Sequence, residues 1–273
     1  IMIREDEELS RLLADHLVAE GISILTGTKA VHVSRKNGGI TLTVEDAQKH
    51  RRDLQASSIL VAVGRKPNVE GMDLEKAGVA WTPKGITTDA YLRTTAPNIV
   101  ACGDVVGPYQ FSHMTEYQAV TAVRNAFLPF RKKVNYDTVA WCTFTAPEFA
   151  HAGLTESEAR ERHGDAISVY RYEYKNTDRG RTDLAEFGRA KFICDKRGRL
   201  VGAHILGERA GELIHEAQLL RHLNLSFTKI APMIHIYPTF ADVVRQPAKL
   251  LYVDRLRNNP VLKLLAKVLG KKK

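Results

Sequence analysis

The chain has 273 residues, 44% of them hydrophobic and 26% charged, a globular mixture that excludes disordered, fibrous and disulfide-stapled classes. Forty Lys and Arg against 31 Asp and Glu give a formal charge of +9, but seven Lys or Arg and one Asp fall within residues 251–273, leaving the tail +6 and the body +3. Nucleic-acid binding has no motive beyond that charge and is not expected. The three cysteines, Cys102, Cys142 and Cys194, form no Cys-x-x-Cys pair and sit among apolar or β-branched neighbours, as inert thiols of a reducing compartment do. No apolar run reaches the ~18 residues of a membrane span, and the acidic start does not resemble a signal or transit peptide. A soluble, cytoplasmic protein is expected.

In chain order, Glu7 to Glu20 carries Leu9, Leu12, Leu13 and Leu17 at helical spacing, with acids in front and Gly21 as stop. Ile22–Leu25, Lys29–Arg35 and Ile40–Val44 alternate as strands do, with Asn37-Gly38 as a hairpin turn, and Ser58–Val63 is an apolar run suited to a buried strand. A linker rich in Gly and Pro leads to a turn signal, a short strand ending on Gly103-Asp104, and a helix from Met114 to Phe127 whose stripe is Tyr117, Ala119, Val120, Val123 and Phe127. Strands follow at Thr138–Thr143, Ile167–Tyr174, Arg189–Cys194 and Leu200–Ile205, then helices at Ala210–Leu223 and Thr228–Met233. That order predicts an α/β portion followed by an α+β portion, an antiparallel sheet with helices on one side. At the end, Asn259-Pro260 starts a basic amphipathic helix with Val261, Leu264, Leu265, Val268 and Leu269 on one face and Lys263 and Lys267 opposite.

Gly103-Asp104 is chemically suggestive: Gly lets a ligand approach the backbone, and an Asp at a strand's carboxyl end can accept from ribose-like hydroxyls. Alone, the dipeptide reads equally as an Asp capping a turn. The longer string Thr94-x-x-Pro97-Asn98-Ile99-x-Ala101-x-Gly103-Asp104-Val105 resembles the second flavin motif of the FAD-dependent pyridine nucleotide–disulfide oxidoreductases, the family of dihydrolipoamide dehydrogenase and mercuric reductase. Val61 to Asn68 is similar to that family's junction between its nicotinamide-nucleotide and FAD domains. Phe144 to Glu148, with Gly153-Leu154-Thr155-Glu156, resembles the opening of its dimerisation domain, and Val201 to Glu212 that domain's central strand and helix.

The resemblance implies partial FAD- and NAD(P)-binding domains of Rossmann type followed by the α+β dimerisation domain. The implied boundaries are 1–68 for NAD(P), 69–133 for the C-terminal part of the FAD domain, 134–250 for the homodimer interface and 251–273 for the tail. It implies FAD and NAD(P)H as cofactors, cofactor contacts at Gly64, Gly103, Asp104, Phe111, Ser112 and His113, and no metal site. The family's ADP-binding glycines, redox-active cysteine pair and nicotinamide-nucleotide Gly-rich turn would all precede Ile1, so the chain is expected to be the C-terminal part of a longer flavoprotein. A non-catalytic dimerisation fragment is the alternative.

His235-Ile-Tyr237-Pro-Thr-Phe-Ala-Asp242 matches the family's His-x-His-Pro-Thr-x-x-Glu, with Tyr237 at the acid/base position and Asp242 at the orienting one. A tyrosine titrates near ~10 and a histidine near ~6.5, so Tyr237 can donate a proton but is a poor base at neutral pH. A disulfide, a metal ion or another group is left open as electron acceptor. His235 is a second acid/base candidate, though two positions along a strand differ in reach by about 6–7 Å. For the tail, contact with an anionic membrane through residues 255–273 and packing on the partner subunit both remain open.

Overall fold

The computed structural model describes residues 1–36 and 38–269; Asn37 of the expected turn and Lys271–Lys273 lie outside the described residues. The chain forms two compact units, one of residues 1–24 with 137–273 and one of residues 25–136. Helix α1 (Glu7–Ala19) opens the first. The second holds β1 (Lys29–Lys36), β2 (Gly39–Glu45), β3 (Arg51–Ala56), the short β4 (Trp81–Thr82) and β5 (Gly85–Ile86), and α2 (Ser112–Phe127). The first unit then resumes with β6 (Ala140–Thr143), β7 (Glu148–Gly153), α3 (Glu156–His163), β8 (Ser168–Glu173), α4 (Asp178–Thr182), β9 (Arg189–Cys194) and β10 (Leu200–Gly207). It ends with α5 (Ala210–His222), α6 (Asp242–Asn258) and α7 (Pro260–Leu269).

In the first unit five antiparallel strands pair in the order β6-β7-β10-β9-β8. Central β10 is buried from Gly202 to Gly207. A Cβ at Gly202 would stand 1.9 Å from the Leu154 carbonyl oxygen, so only glycine permits that approach. Side chains alternate between faces. Ala150, Phe192 and Ile205 meet Ile214 and Ala217 of α5 and Val243, Val244 and Leu251 of α6 in one apolar core. Phe149 and Leu206 point the other way, against Leu9 and Leu13 of α1. The sequence pattern predicts helices on one side only; α1 covers the second side because its leucines match the apolar residues left there.

That second face also carries charge. His151, His204 and Lys191 stand opposite one another across β7, β10 and β9, and all three are buried. The turn into α1 answers them with acids. Both oxygens of Asp6 lie 2.9 Å from Lys191 Nζ, and Glu8 and Glu156 reach the same nitrogen at 2.8 Å. Asp6 also accepts from the backbone N–H of Leu9 at 3.4 Å and of Glu156 at 3.2 Å, so one side chain serves the first turns of α1 and α3. Burial disfavours the Glu8 carboxylate, yet Arg171, Lys191 and Arg189 outweigh it and hold its carboxyl down at about 2. His151 faces Glu5 Oε2 at 2.8 Å and the Gly153 carbonyl at 2.7 Å. His204 Nε2 donates to the Leu154 carbonyl at 2.8 Å. Burial first, then the neighbouring His151, pushes His204 well below the usual histidine range.

The second unit holds the β1-β2-β3 meander and a small core of Val69, Leu74, Val79 and Ala96 with Trp81 and Ile86. Buried Glu45 is answered by Arg51, Lys29 and Lys49. Helix α2 departs from its expected stripe: Val120, Val123 and Phe127 are exposed, while Met114, Gln118, Ala122 and Asn125 face inward. The polar pair earns that place through hydrogen bonds, Gln118 to Gly103, Gly107 and Tyr136, and Asn125 to Lys132. Residues 58–63 form no strand, and Leu60, Val61 and Val63 are 89%, 72% and 92% exposed. An apolar run becomes a buried strand only where flanking strands supply its ladder, and none does so among the described residues. For the same reason residues 99–102 contribute only the bridge of Val100 to Arg93. Ile22–Leu25 is not a strand, and the helix expected near Thr228–Met233 is a short 3₁₀ turn at Phe227–Lys229.

Two outcomes follow for stability. Lys191→Met, which leaves Asp6 buried without its cation, lowers unfolding free energy by about 3 kcal/mol in denaturant titration; a loss below about 1 kcal/mol would show that apolar packing alone seats α1. The pH dependence has a definite sign: His204 titrates lower folded than its ordinary 6.5, so its contribution is complete above that value and is lost as pH falls below it. Glu8, lowered from 4.5 to about 2, adds a second loss below 4.5. Denaturant midpoints measured from pH 7 to 4 therefore decline, and His204→Gln removes the portion between 6.5 and 4.5.

Candidate functional site

The candidate residues fall into two groups, one in each unit. In residues 25–136, Gly103 takes φ +85°, and a Cβ there would meet the Thr115 side chain at 3.0 Å. Its N–H donates to buried Gln118 Oε1 at 2.6 Å, which ties the turn to the first half of α2. Asp104 follows with its side chain 45% exposed, 3.3 Å from Arg65 Nη1. The same guanidinium nitrogen donates to the Gln110 carbonyl at 3.0 Å. Arg65 thus joins the segment after Gly64 to the turn bearing Asp104 and to the approach of α2. Gly64 is exposed beside it.

Helix α2 begins at Ser112 with Phe111 extended as N-cap, its own side chain making no capping bond, and no acid in its first turn. Such a start presents backbone donors suited to an anion or a carbonyl oxygen. Phe111 stacks on His113 at 5.2 Å between ring centroids and on Tyr109 at 6.2 Å, and Tyr109 meets Tyr136 at 5.8 Å. The expected Phe111, Ser112 and His113 therefore stand at a helix start next to Gly103 and Asp104. Arg65, Tyr109 and Tyr136 complete the group, and sequence reasoning missed all three as site residues. Arg65 lies within the junction string Val61 to Asn68, which is the one signal that could have found it.

The other group lies between Met233 and Asp242 in the sheet unit. Tyr237 is 68% exposed, and its hydroxyl donates to Asp178 Oδ2 at 2.8 Å. That bond and the Asp178 charge raise its pKa above the ordinary phenol value, with Asp242 adding a smaller push. The side chain is a neutral phenol at neutral pH. Asp242, the first residue of α6, accepts from Arg245 at 3.5 Å and Gln246 at 3.4 Å. His235 Nε2 lies 3.3 Å from Glu216 of α5 and Nδ1 lies 3.2 Å from the Met233 carbonyl. A cavity of about 510 Å³ opens beside them, lined in part by Arg179, Arg209, Glu216, His235 and Phe240. Asp178 and Glu216 belong to no motif, and only folding brings them to the tyrosine and the histidine.

Cysteine chemistry finds little support. Burial, with Glu148 adding to it, raises the Cys142 thiol to about 12, and burial raises Cys194 to about 12, so both remain protonated at neutral pH. Among the described residues no three His, Cys, Asp or Glu side chains are placed to hold a metal ion.

A family model described as pyridine nucleotide-disulphide oxidoreductase matches residues 1–126, and one described as the dimerisation domain of the same family matches residues 139–248. The dihydrolipoyl dehydrogenase of Thermus scotoductus is 35% identical over 251 residues, covering 90% of this chain and 54% of that protein. The dihydrolipoyl dehydrogenase of Mycobacterium leprae is 32% identical over 248 residues, covering 90% and 53%. Among solved structures, the HOCl-induced flavoprotein disulfide reductase RclA of Escherichia coli superposes with a TM-score of 0.82 at 26% identity, over 92% of this chain and 57% of that one. The chain spans about half the length of the curated relatives it matches. With the nucleotide-binding and dimerisation models matching in succession along it, the chain belongs to the pyridine nucleotide-disulphide oxidoreductase family.

Proposed function

We propose that this chain is part of an FAD-dependent NAD(P)H oxidoreductase, with residues 1–68 contributing to the NAD(P) domain, 69–133 to the FAD domain and 134–250 to a homodimer interface. The observation that carries the reading is the turn at Gly103-Asp104, where a half-exposed carboxylate, paired with Arg65, sits near the start of α2. Those residues fit the cofactor. Asp104 can accept from the hydroxyls of its ribitol chain, and the backbone N–H groups at Ser112 and His113 can donate to its ring carbonyl. Bound FAD supplies a two-electron relay between NAD(P)H and an acceptor. The protein's part is to hold that cofactor at Asp104, keep Arg65 over the turn, and offer the neutral Tyr237 phenol on the acceptor side, with Asp242 and His235 as neighbouring groups. A disulfide, a metal ion or another oxidant remains the acceptor class; a phenol titrating above its ordinary value serves as hydrogen-bonding group or proton donor, not as base.

Homodimerisation is supported by the match of residues 139–248 to the family's dimerisation domain and by the exposed apolar Phe144, Ile234 and Ile236 of the sheet unit. A second contact is motivated by the tail. In α7 the described apolar side chains Val261, Leu262, Leu264 and Leu265 are 62%, 40%, 63% and 48% exposed, within a segment of net charge +6. The side chains of Lys267, Val268 and Leu269 lie outside the described residues. Among the described residues no helix is long and apolar enough to cross a membrane, and an exposed basic amphipathic helix suits peripheral contact with an anionic surface of the cytoplasmic compartment.

The test of the main reading is flavin content. In the longer flavoprotein of which this chain is proposed to be part, FAD absorbance is near one equivalent per chain, and Asp104→Ala there loses at least about tenfold in FAD affinity, roughly the 1.4 kcal/mol of one hydrogen bond to a charged group, while its melting profile without cofactor is unchanged. A colourless dimer with no response at Asp104 would favour the dimerisation fragment. For the tail, the protein floats with phosphatidylserine-containing vesicles and not with phosphatidylcholine alone, and Leu264→Glu with Leu265→Glu abolishes flotation; equal flotation of the variant would exclude α7 as the contact.

A further inference from the structure

Tyr237 lies near two carboxylates of the sheet unit, and it bonds to one of them. The hydroxyl donates to Asp178 Oδ2 at 2.8 Å, whereas the Oδ1 of Asp242 is directed to Arg245 and Gln246. Asp178 is also well placed to act as a fixed partner. Buried Thr177 caps α4 by accepting from the Gly180 N–H at 2.9 Å and donates to the Tyr174 carbonyl at 2.8 Å. A Cβ at Gly180 would stand 2.6 Å from that carbonyl, so α4 is clamped against the chain beneath it. Tyr174 is itself fully buried, its hydroxyl bonded to the Glu208 carbonyl at 2.9 Å. The cations beside Asp178 are engaged elsewhere. Arg179 pairs with Asp183 at 2.7 Å and Arg181 donates to the Lys175 carbonyl at 2.9 Å.

We infer that Asp178 is the positioning residue for Tyr237, taking the place that spacing along the sequence assigns to Asp242. The inference rests on the acceptor-side placement of Tyr237 proposed above and adds a chemical restriction to it. A phenol has one proton to give and lone pairs with which to accept. With its proton directed to the Asp178 carboxylate, Tyr237 meets a third group through oxygen lone pairs. The group it receives is therefore a hydrogen-bond donor, such as a thiol or a hydroxyl, in preference to an oxyanion or a carbonyl. Proton delivery from Tyr237 then requires the hydroxyl to turn away from Asp178. Besides Asp178, the charge that acts on this oxygen is that of Asp242; Tyr172 of β8 responds to the same two carboxylates and to Arg181.

The pair can be tested in the full chain with 3-fluorotyrosine at position 237, its ionisation followed by ¹⁹F NMR against pH. Asp178→Asn lowers the titration midpoint, Asp178→Glu restores it at least in part, and Asp242→Asn lowers it less than Asp178→Asn does. An unmoved midpoint in Asp178→Asn, or an equal or larger fall in Asp242→Asn, overturns the assignment. The same variants, carried in the longer flavoprotein of which this chain is proposed to be part, are then assayed for acceptor reduction across pH. A shifted pH profile in Asp178→Asn, with flavin reduction by NAD(P)H unchanged, supports the acceptor-side role. A fallen midpoint with an unmoved pH profile upholds the Tyr237–Asp178 pair and overturns instead the reading on which it rests.

Discussion

The sheet unit is organised around a charge problem. Lys191 lies buried on its central strands, in line with His151 and with His204, whose imidazole burial keeps uncharged. A cation taken out of water is tolerated only with close, hydrogen-bonded counter-charge. The turn into α1 supplies it with Glu5, Asp6 and Glu8, more than 140 residues away in sequence. The solution fixes the register of α1, because a helix shifted by one residue would carry the acids off the bases while leaving leucines near the sheet. Apolar packing sets which helix face turns inward; the ion pairs decide where along the sheet it stops.

The opposite face of the same sheet is mainly apolar where α5 and α6 pack, with Glu148 accepting from the Gly211 N–H of α5 and Tyr170 donating to Asp254 of α6, and this side carries the segment with His235 and Tyr237. Glu216 projects from α5 and Asp242 begins α6, so the segment between the two helices carries His235 and Tyr237 on ends anchored in one core. α4 supplies the third carboxylate from a turn held by buried Thr177 and Tyr174. A phenol on this segment is exposed without being adrift: its backbone is framed by two packed helices and its hydroxyl is held by a third element.

Much of this organisation was legible in the residues, and the failures have physical causes. Helices α1 and α5 and strands β9 and β10 follow their periodicity because each buries its apolar face against a partner present in the chain. β3, with the sequence Arg-Arg-Asp-Leu-Gln-Ala, has no apolar alternation and is a strand because β2 offers it a ladder. α6, which the sequence pattern does not predict, contains Pro247 in its early turns, buried there among Val243, Val244 and Ala248. In the second unit, a continuous string of turn residues marks the turn at Gly103 and Asp104, and the structure has a turn there. The carboxylate that meets Tyr237 stands 59 positions away, a relation created by packing that leaves no local pattern.

Residues 58–63 carry a further consequence. Ser-Ile-Leu-Val-Ala-Val is six residues of high β-propensity, with no charge, proline or glycine, lying outside any strand and exposed in the second unit. A polypeptide edge of that composition is a template: its N–H and C=O rows can be completed by any extended strand, and its side chains are the kind that interdigitate in dry steric zippers. Lys66 and Arg65 just beyond it are the nearest gatekeeping charges. Handling of this chain is thus governed less by its balanced body than by six neutral residues, whose self-association would grow with concentration and be slowed by a single lysine placed among them.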